Sequence, residues 1–208
     1  MRNRVGIALA ALGATLALAV AVSSASANRL SYSETRFRII WTSLTFSGSG
    51  GGFVITCPVT LEGSFHSATL AKVTGALVAY ITRASVENPG CTEGQATILT
   101  ESLPWHVTYQ GFSGTLPAIA KVRHDLIGAA FQIEAGLGVI CLARSSAATP
   151  AAGEASREAG GNITSLTPDG SLAIPVTGTS CPLSGIFSGS GEVFVQGSRE
   201  RRVRLSLI

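Results

Sequence analysis

The chain has 208 residues, with 15 basic and 12 acidic side chains and a formal net charge of +3. Charged residues make up only 13% of it while glycine contributes 24 residues, a balance that suits short strands and tight turns better than helices. We do not expect a nucleic-acid partner, because neutralising phosphates takes a concentrated basic surface.

The N-terminus has the pattern of a secretory signal peptide. Arg2 and Arg4 precede an apolar run over residues 5–22, and the small residues Ala25 and Ala27 suit a signal peptidase. We expect cleavage after Ala27 and a secreted or extracytoplasmic mature chain, residues 28–208, long enough for one domain. Its charge is close to balanced, since Arg2 and Arg4 leave with the signal. The alternative is an uncleaved membrane anchor over residues 5–22, a run at the short end of the roughly 20 residues that span a bilayer.

Four cysteines lie in the mature chain: Cys57, Cys91, Cys141 and Cys181. An exported chain reaches an oxidising compartment, so we expect two disulfides. Three connectivities exist. We favour Cys57–Cys91 with Cys141–Cys181, because each pair then closes one half of the chain and each half holds one Cys-Pro strand. No C-x-x-C occurs and no histidine stands at zinc-finger spacing from a cysteine, so we predict neither a metal site nor a cofactor.

The N-terminal half predicts strands separated by glycine-rich turns. Residues 28–45 are expected to be partly ordered, with a first strand over 36–46, and the main domain to cover 46–208. Residues 53–61 show the cleanest period of two, with one face formed by Phe53, Ile55, Cys57, Val59 and Leu61. Pro58 lacks an N–H group, which predicts an edge strand or a bulge there. Further strands are predicted over 76–86, 95–100 and 104–112.

The C-terminal half is less regular. Residues 118–134 fit both a helix face and strand alternation, and we predict a strand from about Asp125. Residues 145–162 lack an apolar stripe and are predicted to be a long flexible loop. After strands at 138–143, at 171–177 and around Cys181, a closing hairpin should pair 192–196 with 202–208. The whole pattern predicts an all-β fold, a single antiparallel sandwich or small barrel.

Four motifs carry a resemblance to a family. They are Cys57-Pro-Val-Thr-Leu-Glu-Gly-Ser-Phe-His-Ser67, Ser102-Leu-Pro-Trp-His-Val-Thr-Tyr109, Gly114-Thr-Leu-Pro117 and Cys181-Pro-Leu-Ser-Gly185. In these motifs the chain resembles a group of exported, uncharacterised actinobacterial proteins over residues 46–208. The resemblance implies a bacterial envelope or extracellular setting. It implies no activity, cofactor or site residue.

Candidate catalytic residues are few and scattered. The chain has three histidines and no G-x-S-x-G elbow. His124 and Asp125 are neighbours, so on a strand their side chains point to opposite faces. The carboxylates considered for acid–base chemistry are Glu62, Glu101 and Glu134, which border apolar strands. We interpret these, and His106, as solvated positions on strands and at their ends.

One charge cluster and three aromatic residues remain. The cluster comprises Arg199, Arg201, Arg202 and Arg204. It could bind an anionic envelope polymer or a lipid surface, but we favour a charged face that protects a terminal edge strand. Trp41, Trp105 and Phe112 could line a ligand groove, but we favour a place in the core.

Two classes of function stay open. The favoured one is an exported, non-catalytic β domain that binds or scaffolds a component of the envelope or medium. The other is a secreted hydrolase, which a pocket gathering two of Glu62, Glu101, His106 and His124 would indicate. A small closed barrel with an apolar cavity would instead indicate a carrier of lipid or of a small ligand. The sequence specifies neither the partner nor the oligomeric state.

Overall fold

A computed structural model describes residues 29–87, 90–115, 118–171 and 173–208. The signal peptide predicted for residues 1–27 lies outside this range. The described chain is all-β, as predicted, with short 3-10 turns at Ser49–Gly51, Thr100–Ser102 and Gly136–Gly138. Its strands are, in chain order, β1 (Arg29–Tyr32), β2 (Arg36–Gly48), β3 (Val54–Phe65), β4 (Thr69–Ala71), β5 (Leu77–Val86), β6 (Gly94–Ile98), β7 (Trp105–Thr115), β8 (Ala118–Ile127), β9 (Ala130–Ala135), β10 (Val139–Arg144), β11 (Ala151–Arg157), β12 (Ile163–Pro168), β13 (Ile174–Thr177), β14 (Ser184–Ser188), β15 (Gly191–Val195) and β16 (Leu205–Leu207). Within these ranges no helix has the length and apolar character to cross a membrane.

Eight of the described strands close into an antiparallel barrel. Their order is β2, β3, β5, β7, β8, β11, β12 and β15, and β15 pairs again with β2. Closure gives the backbone of each of these strands a partner on both sides. Side chains alternate between the interior and the outer surface. On β3 the predicted face is buried, with Ile55, Cys57, Val59 and Leu61 each 2–6% exposed.

Five further strands extend from the C-terminal part of β2 and form the side sheet, in the order β14, β13, β10, β9 and β6. β14 pairs with residues 45–48 of β2. A bridge between Thr56 and Thr92 brings the segment before β6 back to the start of β3. The ring of Phe131 lies 5.5 Å from that of Trp105 and 5.3 Å from that of Phe187, between centroids. These aromatic contacts join the side sheet to one end of the barrel.

The cap sheet, β16-β1-β4, covers the other end. It buries Leu30 and Leu205 completely or nearly so, at 0% and 2% exposure. Tyr32 stacks on Phe65 of β3, with ring centroids 3.8 Å apart. Arg157 of β11 donates one hydrogen bond to the carbonyl of Leu205 (2.9 Å) and another to that of Ile119 on β8 (3.1 Å). One side chain therefore ties the cap sheet to the barrel wall.

The disulfides have the predicted pairing, Cys57–Cys91 and Cys141–Cys181. The first ties β3 to the segment that leads into the side sheet. The second ties β10 to the loop between β13 and β14. Pro58 also behaves as predicted, because it lies opposite the register shift between Trp41 and Leu44 of β2. At a bulge, the missing N–H of proline removes no regular ladder bond.

The prediction of a loop over 145–162 is wrong for residues 151–157, which form β11 in the barrel wall. β11 pairs with β8 on one side and with β12 on the other. Its small residues form no apolar stripe. Two ladders of backbone hydrogen bonds, and not the packing of large side chains, therefore hold this strand in the barrel wall. Tertiary context overrides the local signal here.

Three other boundaries differ from the predictions. β8 begins at Ala118, so the strand predicted from about Asp125 starts earlier. β15 and β16 do not form the predicted hairpin, since β15 pairs with β12 and β2 while β16 pairs with β1. Residues predicted to be partly ordered within 28–45 form β1 and most of β2. The hairpin prediction failed because the partners of β15 and β16 include β2 and β1, which lie far away in sequence.

Candidate functional site

A cavity of about 140 Å³ lies inside the barrel. All eight barrel strands contribute to its wall. Tyr32 and Leu205 of the cap sheet add to it, as do Phe131 and Phe187 of the side sheet. Most wall side chains are aliphatic or aromatic, for example Phe37, Ile39, Val59, Leu61, Val122 and Leu126. The described wall includes no Lys, Arg, Asp or Glu.

The cavity exists because β11 presents small residues to the interior. In the β8–β11 ladder, Ala151 lies opposite Leu126, Gly153 opposite His124, and Ala155 opposite Val122. Directly paired residues share a face of the sheet, so all three small residues point inward. The interior of an eight-stranded barrel is just wide enough for side chains to fill it or for one small ligand. Short side chains along β11 leave that space unfilled.

His124 is the central polar residue of the wall. It lies on β8 between Tyr109 of β7 and Gly153 of β11, its cross-strand partners. Its imidazole makes no hydrogen bond with the described residues. Burial lowers the pKa of His124 to about 4, because the interior disfavours the charged form. At neutral pH the ring is therefore uncharged, with one N–H donor and one nitrogen acceptor.

Tyr32 and Trp41, two other residues of the wall, each carry one buried polar atom. The Tyr32 hydroxyl and Trp41 Nε1 are buried and have no hydrogen-bond partner in the described part of the chain. Burial, followed by the nearby Tyr109, raises the pKa of Tyr32, which keeps the phenol neutral. Gly191 of β15 makes room for Trp41, because a Cβ there would lie 2.5 Å from two atoms of the indole ring. A larger residue at 191 would displace the indole.

The arrangement is suited to binding. An apolar wall with a few polar groups is the usual composition of a small-molecule pocket. Acid–base catalysis works best with a group whose pKa lies near the operating pH, and the pKa of His124 lies well below neutrality. No group of three or more His, Cys, Asp or Glu side chains that could hold a metal ion occurs among the described residues.

The carboxylates and histidines singled out in the sequence lie apart. Glu62 is on the outer face of β3, where one oxygen lies 2.9 Å from Arg83 Nη1 and the other 3.6 Å from Arg38 Nε. Glu101, Glu134 and His106 are exposed. Of the four residues whose convergence would have indicated a hydrolase, His124 alone lies on the cavity wall.

The arginine cluster is largely engaged within the chain. Arg201 pairs with Glu34, and Arg202 pairs with Glu192 at 2.6 Å and lies over the ring of Phe194. Arg204 donates to the carbonyl of Gly160, and Arg199 is exposed. These contacts attach the segment after β15 to neighbouring strands.

The three aromatic residues singled out in the sequence have different environments. Trp41 lines the cavity. Trp105 is fully buried, and its Nε1 donates to the Ser102 hydroxyl at 2.8 Å. Phe112 is half-buried, with the Lys72 amine 5.6 Å from its ring centroid. The favoured place in the core is confirmed for Trp41 and Trp105, and Trp41 also lines the cavity.

Sequence reasoning missed Tyr32 and the small residues of β11. Tyr32 precedes the first predicted strand and reaches the cavity only because β1 joins the cap sheet. The alternation of Ala151, Gly153 and Ala155 was visible, but small residues carry no strong periodic signal.

We compared the chain with protein-family models, with curated proteins and with solved structures. None of the three comparisons finds a match.

Proposed function

We propose that this protein is an exported β-barrel that binds a small, mostly apolar molecule in its interior. The observation that carries the proposal is the cavity of about 140 Å³ with its apolar wall. An engineered protein cavity of about 150 Å³ lined by aliphatic and aromatic side chains binds benzene. A single aromatic ring or a short branched alkyl group is therefore the expected size of the ligand.

The location follows from the disulfides. Disulfides form and persist in oxidising compartments, so the two bonds indicate an extracytoplasmic location. We propose that residues 1–27 direct the export and are removed after Ala27, as the pattern around Arg2, Arg4 and Ala25 indicates. The resemblance to exported actinobacterial proteins supports a bacterial envelope or extracellular setting for the ligand.

The test is to fill the cavity from the wall that creates it. Ala155 is buried and points into the barrel from β11, so Ala155→Leu places a branched side chain in the space for ligand. We expect this substitution to weaken toluene binding about tenfold or more, because toluene would lose the burial of an apolar surface equivalent to about two methylene groups. Binding is measured on the oxidised mature protein from the shifts of its methyl NMR signals.

Ala120→Leu is the matched control. Ala120 is exposed on β8, so the same substitution there adds the same atoms outside the barrel. We expect the control to bind toluene as the wild-type protein does. Equal affinity in the Ala155→Leu and wild-type proteins would refute the cavity as the binding site, and no binding of toluene by the wild-type protein would refute the proposed function.

A further inference from the structure

We infer that the cavity selects neutral molecules that combine an apolar body with a single hydrogen-bonding oxygen, the class to which phenols and small aryl ketones belong, and that His124 is the polar anchor. This inference rests on the proposed function. It adds the hydrogen bond by which the cavity would distinguish one apolar molecule from another.

The surroundings of His124 support the role of anchor. The imidazole lies on the wall with both nitrogens unpaired among the described residues. Its neighbour across the β8–β11 ladder is Gly153, which presents no side chain to the ring. Buried polar groups in proteins are almost always hydrogen-bonded, so an unpaired one facing a cavity needs an explanation. A ligand hydroxyl or carbonyl supplies the missing partner.

His124 is the polar wall residue that a ligand could contact. The Tyr32 hydroxyl and Trp41 Nε1 also lack a hydrogen-bond partner in the described ranges, but both atoms are shielded behind the apolar surface of the wall. A neutral imidazole offers one donor and one acceptor, so it can pair with a ligand hydroxyl or carbonyl.

The wall also selects against charge. It carries no ionised side chain among the described residues, and His124 is neutral because burial lowers its pKa to about 4. An ionised ligand would lose its hydration without gaining a counter-ion, which is strongly unfavourable. Benzoate and other carboxylates of the right size should therefore be excluded at pH 7.

The experiment compares toluene, phenol and benzoate at pH 7 with the oxidised mature protein and with His124→Leu. The measured quantity is the ratio of the toluene Kd to the phenol Kd, because taking this ratio in both proteins cancels the difference in ligand hydration. We expect the ratio to fall about tenfold in His124→Leu, as one hydrogen bond to a buried partner is lost. His124→Asn retains a hydrogen-bond donor and an acceptor, so its Kd ratio should lie between those of His124→Leu and the wild-type protein. Benzoate should bind at least about tenfold more weakly than phenol.

A measurement on the wild-type protein covers the case in which a variant does not fold. Phenol should shift the imidazole NMR signals of His124 more than toluene does, while those of the exposed His66 and His106 stay unchanged. If toluene binds but the Kd ratio is the same in His124→Leu as in the wild-type protein, this inference is overturned and the proposed function stands. The same holds if toluene and phenol shift the His124 signals equally. Benzoate binding as tight as that of phenol would overturn the selection against charge. Failure of both toluene and phenol to bind would overturn the proposed function itself.

Discussion

Replacing Cys141 and Cys181 together by alanine is expected to lower the free energy of unfolding by about 4 kcal/mol. The bond joins residues 40 positions apart, and releasing a loop of this length restores much conformational entropy to the unfolded chain. The Cys57–Cys91 bond, with a separation of 34, should contribute a similar amount. Since native domains are stable by only about 5–15 kcal/mol, losing both bonds should leave much of the protein unfolded.

Urea unfolding of the wild-type protein and of the two double-alanine variants measures these losses. Full reduction of the wild-type protein is the control, and it should reproduce the combined loss without any substitution. A loss below about 1 kcal/mol for both pairs would contradict the expected role of the bonds, because it would show that the unfolded chain gains little freedom when they break.

Acidification is expected to destabilise the protein between about pH 6.5 and pH 4 through His124. The folded state holds the pKa of this imidazole at about 4, whereas the unfolded chain restores the usual 6.5. Between these values the unfolded chain binds more protons, so the free energy of unfolding falls as the pH falls. The stability present at neutral pH and lost by about pH 4 amounts to about 3 kcal/mol.

The comparison with His124→Leu isolates this contribution. Asp125 and Asp169 also have shifted pKa values, raised by burial for Asp125 and lowered by hydrogen bonds from Ser171 for Asp169. Both carboxyls remain in the variant, so their effects cancel in the difference between the two proteins. Urea unfolding from pH 7 to pH 4 should give a smaller loss in His124→Leu than in the wild-type protein. Parallel pH profiles would show that His124 is already accessible to protons in the folded state.

The sequence predicted those parts of the fold whose signal is local. Alternation from Ile55 to Leu61 identified the buried face of β3, because a period of two is a property of each strand alone. The disulfide pairing followed from dividing the cysteines between the two halves of the chain. Pro58 indicated a bulge because the missing N–H is likewise local.

The parts that were missed depend on distant partners. β11 has no apolar stripe of its own, and its conformation is specified by the ladders to β8 and β12. The small side chains of β11, which gave no strand pattern in the sequence, also leave the cavity in the barrel unfilled. His124 and Trp41 were visible as candidates, whereas the cavity between them is a property of eight strands together. The volume of the cavity therefore cannot be predicted from any single stretch of the sequence.

The cap sheet has a consequence for the order of folding. It pairs β1 with β16, so that Leu30 lies opposite Leu207 and nearly all of the described chain separates the two. Contacts between such distant residues have the largest loop-closure entropy to overcome and slow folding. The β2–β3 hairpin needs only a short connection, so we expect it to form early and the cap sheet last. Pulsed hydrogen exchange should therefore protect the amides of β3 before those of β1.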